Sequence, residues 1–202
     1  MITDRSKVSA IIIANPDLRV APELLLWLID SDIPRRNILI YRGNDRDQVA
    51  AYNRAVEMSL NLPNVEYHLF ADSDIRPYSA SNDLFDAPYD FTCLKCDTET
   101  GLGAWAEASS FHTALWLARS SSLRQMAAPW FGWGYNPTHS AISKCVCDQF
   151  RKQAIDKGFR IGNVGHALHY PRGKQLPDSI CVKERYTKNT NGDDNARKIF
   201  RT

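Results

Sequence analysis

The sequence lacks any hydrophobic stretch long enough to cross a bilayer. Runs such as Val8–Ala14 and Leu24–Ile29 fall far short of the ~20 apolar residues a spanning helix needs. Residues 1–7 carry Asp4, Arg5 and Lys7 and no apolar segment of the secretory type. Gly and Pro number ten each in 202 residues, too few for collagen or low-complexity disorder. No internal repeat, Walker-type phosphate loop, zinc-protease helix or Gly-x-Ser-x-Gly elbow is present. Neither sign of charge dominates: 25 Lys and Arg face 23 Asp and Glu, a net charge of +2. Apolar residues make up 44% of the chain and charged residues 24%. A chain of this length suits one globular domain that buries about 70% of its unfolded surface. The expectation is a single cytoplasmic domain.

Cysteine is scarce and odd in number. Five residues, with Cys93 and Cys96 as C-x-x-C and Cys145 and Cys147 as C-x-C, do not form a secreted disulfide framework. Two close pairs invite a four-thiolate zinc site. The second pair, however, falls in a helical pattern, where residues two apart diverge. Buried thiols in a reducing compartment are the commoner outcome.

The charge that is present is unevenly spread. Residues 171–202 hold eight basic and four acidic side chains, a net +4, and leave the body at −2. The division predicts a domain over 1–170 and a basic tail over 171–202. Such a tail suits an anionic partner, or is simply a solvated terminus.

Strand and helix signals alternate over the first 75 residues. Val8–Ala14 is a β-branched run of the kind buried on both faces of a sheet. Pro22 opens a helix running to about Ser31. Residues 37–41 (NILIY) read as a second strand. Asn44-Asp45 opens a helix, with Asp45 and Gln48 at capping-box spacing and Val49, Tyr52, Val56 and Leu60 as its apolar stripe. Residues 66–71 form a third strand. This β-α-β-α-β order predicts an α/β domain, a mostly parallel sheet flanked by helices.

The second half is less regular. Residues 91–94, 113–118 and 159–164 read as strands, and 120–127 as a short helix. A longer helix is predicted over 140–157, with Ile142, Val146, Phe150 and Ala154 inward and Gly158 at its end. Trp130, Phe131, Trp133 and Tyr135 crowd the loop ahead of it. They serve either as a mobile lid that stacks on sugars or bases, or as a packed plug. Trp105 and the Gly101–Gly103 loop pose the same choice.

Asp72-Ser73-Asp74 follows the third strand directly. In a parallel α/β sheet, ligands bind outside the carboxyl ends of the strands. Two carboxylates at a strand exit can converge on a hard divalent cation, which could then bridge a diphosphate. An ordinary polar turn is the alternative.

Taken in order, the Val8–Asn15 strand, the helix with Asn53-Arg54-Ala55 and the strand ending in Asp72-Ser73-Asp74-Ile75-Arg76-Pro77 resemble the GT-A fold nucleotide-sugar glycosyltransferases, family 2-like. Residues 158–164 (GFRIGNV) followed by His169 are similar to that family's closing section. The likeness spans residues 8 to about 171. It implies a GT-A-like single domain and a donor of the nucleoside diphosphate sugar type, a uridine diphosphate sugar. It implies Mn2+ or Mg2+ held by Asp74, Asp72 and His169, with His166 competing for the third place. Ala14, Asn15, Asp45, Asn53, Asp72 and Ser73 would bind the donor, and Trp105, Trp133 and Tyr135 would face the acceptor as a lid. The family's Glu-Asp pair is reduced here to Cys147-Asp148, so the resemblance makes Asp148 the general base, with Glu107 in reserve and inversion as the outcome. A short chain with a basic tail also resembles phage-type enzymes that glycosylate hydroxymethylated bases in DNA. Lys183, Arg185 and Lys188 would then contact phosphates. A glycan or small-molecule acceptor, a sugar nucleotidyltransferase and a non-catalytic nucleic-acid or sugar-binding module are the competing readings.

Overall fold

The fold is known from a computed structural model that describes residues 2–14, 19–43, 48–97, 111–132, 134–135 and 144–169. Strand β1 (Val8–Ala14) is buried at every position, as its unbroken apolar run requires. Helix α1 (Pro22–Asp30) starts with Pro22 in its first turn and buries Leu24, Trp27 and Leu28. Strand β2 (Ile38–Arg42) pairs parallel with β1 at the sheet's edge. Helix α2 (Gln48–Leu60) buries Ala51, Tyr52, Ala55, Val56 and Ser59. The capping pair expected at Asp45 lies outside the described residues. Strand β3 (Tyr67–Asp72) takes Asp72 into the strand itself, one residue beyond the predicted end.

The second half departs further from expectation. Strand β4 (Ile75–Pro77) follows β3 after a two-residue turn. Strand β5 (Phe91–Asp97) is followed in the chain by β6 (Leu115–Arg119), which runs directly into a short α3 (Ser120–Leu123). A two-stranded ribbon of β7 (Gly134–Tyr135) and β8 (Lys144–Cys145) precedes α4 (Cys147–Asp156). The helix predicted from residue 140 therefore starts at Cys147, because Lys144–Cys145 pairs as strand with β7. The last strand, β9 (Ile161–His169), runs five residues past its predicted end.

The main sheet has the order β2-β1-β3-β6-β5-β9-β4. Five of its seven strands share one direction; β6 and β4 run against them. Alternation along β1 divides the core. Ala10 and Ile12 face one layer with Leu24, Trp27, Leu28, Leu84 and Phe85. Ile11 and Ile13 face the other, with Tyr52, Val56, Phe70, Trp116, Phe131 and Phe150. Helix α1 thus covers one face, and α2 and α4 cover the other.

The same alternation rules out a zinc site at the C-x-x-C pair. Cys93 lies in the aromatic layer and Cys96 in the opposite one, so their thiols are separated by the sheet. Burial pushes the Cys93 thiol up to about 12, which leaves it an inert core group. Among the described residues no helix is long and apolar enough to cross a membrane.

One buried histidine makes acid stability testable. His68, fully buried on β3, meets Ser9 Oγ at 3.1 Å through Nδ1, while its buried Nε2 has no hydrogen-bond partner among the described residues. Burial first, then the field of Arg124, drops its pKa from 6.5 to about 4. An unfolded chain therefore takes a proton on this ring near pH 6.5 that the folded protein refuses until about pH 4. Stability should fall as pH falls through that window. Relative to His68→Leu, wild type should lose about 3 kcal/mol between pH 7.5 and pH 4. Urea unfolding of both proteins at the two pH values measures it, and parallel curves would reject the assignment.

Candidate active site

The topology forces one cluster together. Strands β3 and β4 are linked by Ser73 and Asp74 alone, yet β6, β5 and β9 lie between them in the sheet. In a flat sheet that separation is four spacings, about 19 Å. The three Cα–Cα steps from Asp72 to Ile75 span at most about 11 Å. The sheet must therefore coil until its far edge returns toward the end of β3. Because Ile75 pairs with His169, the end of β9 comes back with it.

A bulge sets which way the end of β9 faces. Pairing with β5 skips one residue between Val164 and His166, leaving Gly165 at φ +49°, a conformation that favours glycine. Val164 and Ala167, three apart, consequently face the same core layer. Without the extra residue, His169 would sit on the opposite face.

In the result, His169 Nε2 lies 3.4 Å from Asp74 Oδ1 and 4.0 Å from Asp72 Oδ2. One ligand atom from each of the three side chains falls within 4.8 Å of the others. His166 lies elsewhere, its carbonyl accepting a 2.6 Å bond from Ser81 Oγ. The backbone beneath is pinned. Asp72 N–H donates to Ala114 C=O at 2.8 Å, Ser73 N–H to Ile13 C=O at 3.1 Å, and Ala21 N–H to Ser73 C=O at 2.7 Å.

Electrostatics follow from burial. Desolvation raises the Asp72 carboxyl from 3.8 to about 7, with Asp74 adding repulsion and His169 and Tyr52 opposing the rise. Burial works against a charged His169, but the hydrogen bond to Asp74 and the fields of both carboxylates outweigh it and raise its pKa. Two partly buried acids and one imidazole share this space. A divalent ion would offset the repulsion between the two carboxylates, and an oxygen–oxygen–nitrogen donor set suits Mn2+ or Mg2+.

The aromatic layer reaches this cluster through Tyr52. Its hydroxyl donates to Asp72 Oδ1 at 2.5 Å and also bonds Thr113. Cys147 Sγ donates in turn to Thr113 Oγ1 at 3.7 Å, which brings the first turn of α4 into the neighbourhood. Tyr52 reads in the sequence as a core stripe residue, and nothing there distinguishes its hydroxyl from its ring. Asp148, next in the chain, is partly buried, and its Oδ2 has no hydrogen-bond partner among the described residues although shielded from solvent. Its place in the first turn of α4 also suits the helix dipole.

The other expected residues fall in different places. Ala14 ends β1 at the same sheet edge, fully buried, its carbonyl accepting Gly43 N–H at 2.7 Å. Asn53 is engaged by the backbone of Phe131. Its amide takes both the N–H and the C=O of Phe131, at 3.0 and 2.9 Å. Those bonds seat Phe131 as a fully buried plug, so this aromatic packs rather than stacking on a ligand. Ser73 is buried in the turn between the two aspartates. Tyr135 pairs with Lys144 in the β7–β8 ribbon. Asn15, Asp45, Trp105, Glu107, Trp133, Lys183, Arg185 and Lys188 lie outside the described residues.

No family model matches the chain, and no curated protein matches it by sequence. Solved structures do match the fold. A197 from STIV superposes with a TM-score of 0.51 at 14% identity, over 81% of this chain and 86% of that one. The inositol-1-phosphate CTP transferase from T. maritima gives 0.51 at 9% identity, over 92% and 97%. A mutant Drosophila beta-1,4-galactosyltransferase 7, in complex with manganese, UDP-Gal and xylobiose, gives 0.41 at 12% identity, over 96% and 80%. The first two likenesses establish the fold, an α/β architecture also used by a nucleotide transferase; the third is too distant to carry an argument.

Proposed function

We propose that this chain is a metal-dependent glycosyltransferase, which moves a sugar from a nucleoside diphosphate sugar, a uridine diphosphate sugar in the first instance, to an acceptor hydroxyl. The observation that carries the reading is the convergence of Asp72, Asp74 and His169 at the carboxyl edge of the sheet. These three side chains would hold Mn2+ or Mg2+, whose charge offsets that of the departing diphosphate. The ends of β1 and β3 would seat the donor against that edge. Asp148 would take the proton of the acceptor hydroxyl as it attacks the anomeric carbon in line, which inverts the centre.

Donor hydrolysis across a panel of nucleotide sugars, with and without Mn2+, tests the reading. Turnover should appear with metal only. A protein that binds no nucleotide sugar and turns none over would be a binding module instead.

A second reading has its own support. The T. maritima structure that superposes at 0.51 is described as a CTP transferase. A nucleotidyl transferase would release pyrophosphate from a nucleoside triphosphate and a sugar phosphate, whereas the glycosyltransferase releases a nucleoside diphosphate. Product analysis separates them.

The base has a direct test. Asp148→Asn should keep Mn2+ and donor affinity and lower turnover by ~100-fold or more. The motivation is a shielded carboxylate oxygen with no hydrogen-bond partner among the described residues, one residue from the thiol that contacts Thr113. Steady-state kinetics on the variant decide it; normal turnover would move the role to Glu107.

DNA as acceptor rests on the +4 charge of residues 171–202. On duplex bearing hydroxymethylated bases, log affinity should fall with log salt by about 0.9 per phosphate contact. The triple replacement of Lys183, Arg185 and Lys188 should flatten that slope and leave donor hydrolysis untouched. Filter binding over a salt series measures it, and salt-independent binding returns the acceptor to the glycan or small-molecule class.

A further inference from the structure

The Asp72 carboxylate has two oxygens with different neighbours. Oδ2 faces His169 at 4.0 Å, whereas Oδ1 receives the Tyr52 hydroxyl at 2.5 Å. Tyr52 is about as buried as a residue can be, 1% exposed, with its ring 5.3 Å from that of Phe131. A phenol in such a layer needs a polar partner, and a carboxylate oxygen beside it needs a donor. Each meets the need of the other. The Thr113 hydroxyl then bonds Tyr52 from the side, and Cys147 bonds Thr113. The rotation of the Asp72 carboxylate is thereby set by α2, an element outside the strand that carries it.

We propose that Tyr52 is a positioning residue for the cation site: its hydroxyl occupies Asp72 Oδ1, presents Oδ2 alone to the ion, and is itself aimed by Thr113. The inference rests on the metal reading above and adds to it the coordination mode of Asp72 and the residue that enforces it. Replacing a group that orients a ligand from behind commonly costs 10–100-fold in metal affinity. Tyr52→Phe keeps the ring and its packing and removes only the oxygen. It leaves Oδ1 without a donor and the carboxylate free to turn.

The test is an electron paramagnetic resonance titration of Mn2+ into wild type, Tyr52→Phe and Thr113→Val, with circular dichroism as the check on folding. Tyr52→Phe should bind Mn2+ 10–100-fold more weakly and Thr113→Val a few-fold more weakly, both with wild-type spectra. A variant with 3-fluorotyrosine at position 52, which retains the hydroxyl, should bind as wild type does. Equal affinity of wild type and a folded Tyr52→Phe would overturn the role of Tyr52 and leave the metal reading standing. No uptake of Mn2+ by wild type would overturn both. If Tyr52→Phe does not fold, the 19F resonance of the fluorotyrosine protein decides. A shift on Mg2+ addition, weakened by Thr113→Val, supports the role, and an unmoved resonance overturns it.

Discussion

Asp74→Ala is expected to weaken Mn2+ binding by at least ~100-fold and to carry metal-dependent donor turnover down with it. Displacing a mere supporting group costs up to about that factor, so removing one of three ligands should cost no less. Stability should scarcely change. Asp74 sits in the two-residue turn between β3 and β4, about a quarter exposed, and makes its contact with His169 rather than with the core. Such substitutions usually stay within ~0.5 kcal/mol, or about 2 °C for a domain of this size. Asp72 would be the less clean choice, because its replacement also strands the buried Tyr52 hydroxyl. Calorimetric titration with Mn2+ and a uridine diphosphate sugar, alongside thermal melts, makes the measurement. Wild-type affinity in a folded Asp74→Ala protein would remove the aspartate from the site.

Phe150→Ala is expected to cost about 3–5 kcal/mol, the range for truncating a fully buried aromatic. Phe150 is the hub of the aromatic layer. Its ring stacks on Phe111 at 4.8 Å and on Phe131 at 5.0 Å, and meets the edges of Phe91 at 5.0 Å and Trp116 at 5.2 Å. Stiff rings held by different parts of the chain cannot all collapse into the space it leaves, so most of the cavity would persist. The same helix supplies its own control. Ile155 is 55% exposed, and Ile155→Ala should change stability by no more than ~0.5 kcal/mol. Urea unfolding reports both; a loss below about 1 kcal/mol at Phe150 would contradict the packing. Because Phe150 anchors the helix that carries Asp148, the variant should also lose turnover below its melting range.

The sequence by itself determined the first half of the fold. The unbroken run of β1, Pro22 at the start of α1, and the stripe through Tyr52 and Val56 are local periodicities, and each element formed where its own residues placed it. It also determined that Asp72 and Asp74 stand at the carboxyl end of a strand. Tertiary structure decided the rest. Strand β4 is three residues long and too short to show a period, and Lys144–Cys145 is strand only because Gly134–Tyr135 pairs with it. His169 was indicated by family likeness, not by any property of its neighbours. It reaches the two aspartates because β4 pairs with β9 and Gly165 inserts a bulge. Cys93 and Cys96 look like a metal pair in the chain and end in opposite layers of the core. Side-chain periodicity is a property of neighbours along the backbone, whereas strand pairing, sheet coiling and bulge register are settled by surfaces that meet only once the chain has folded.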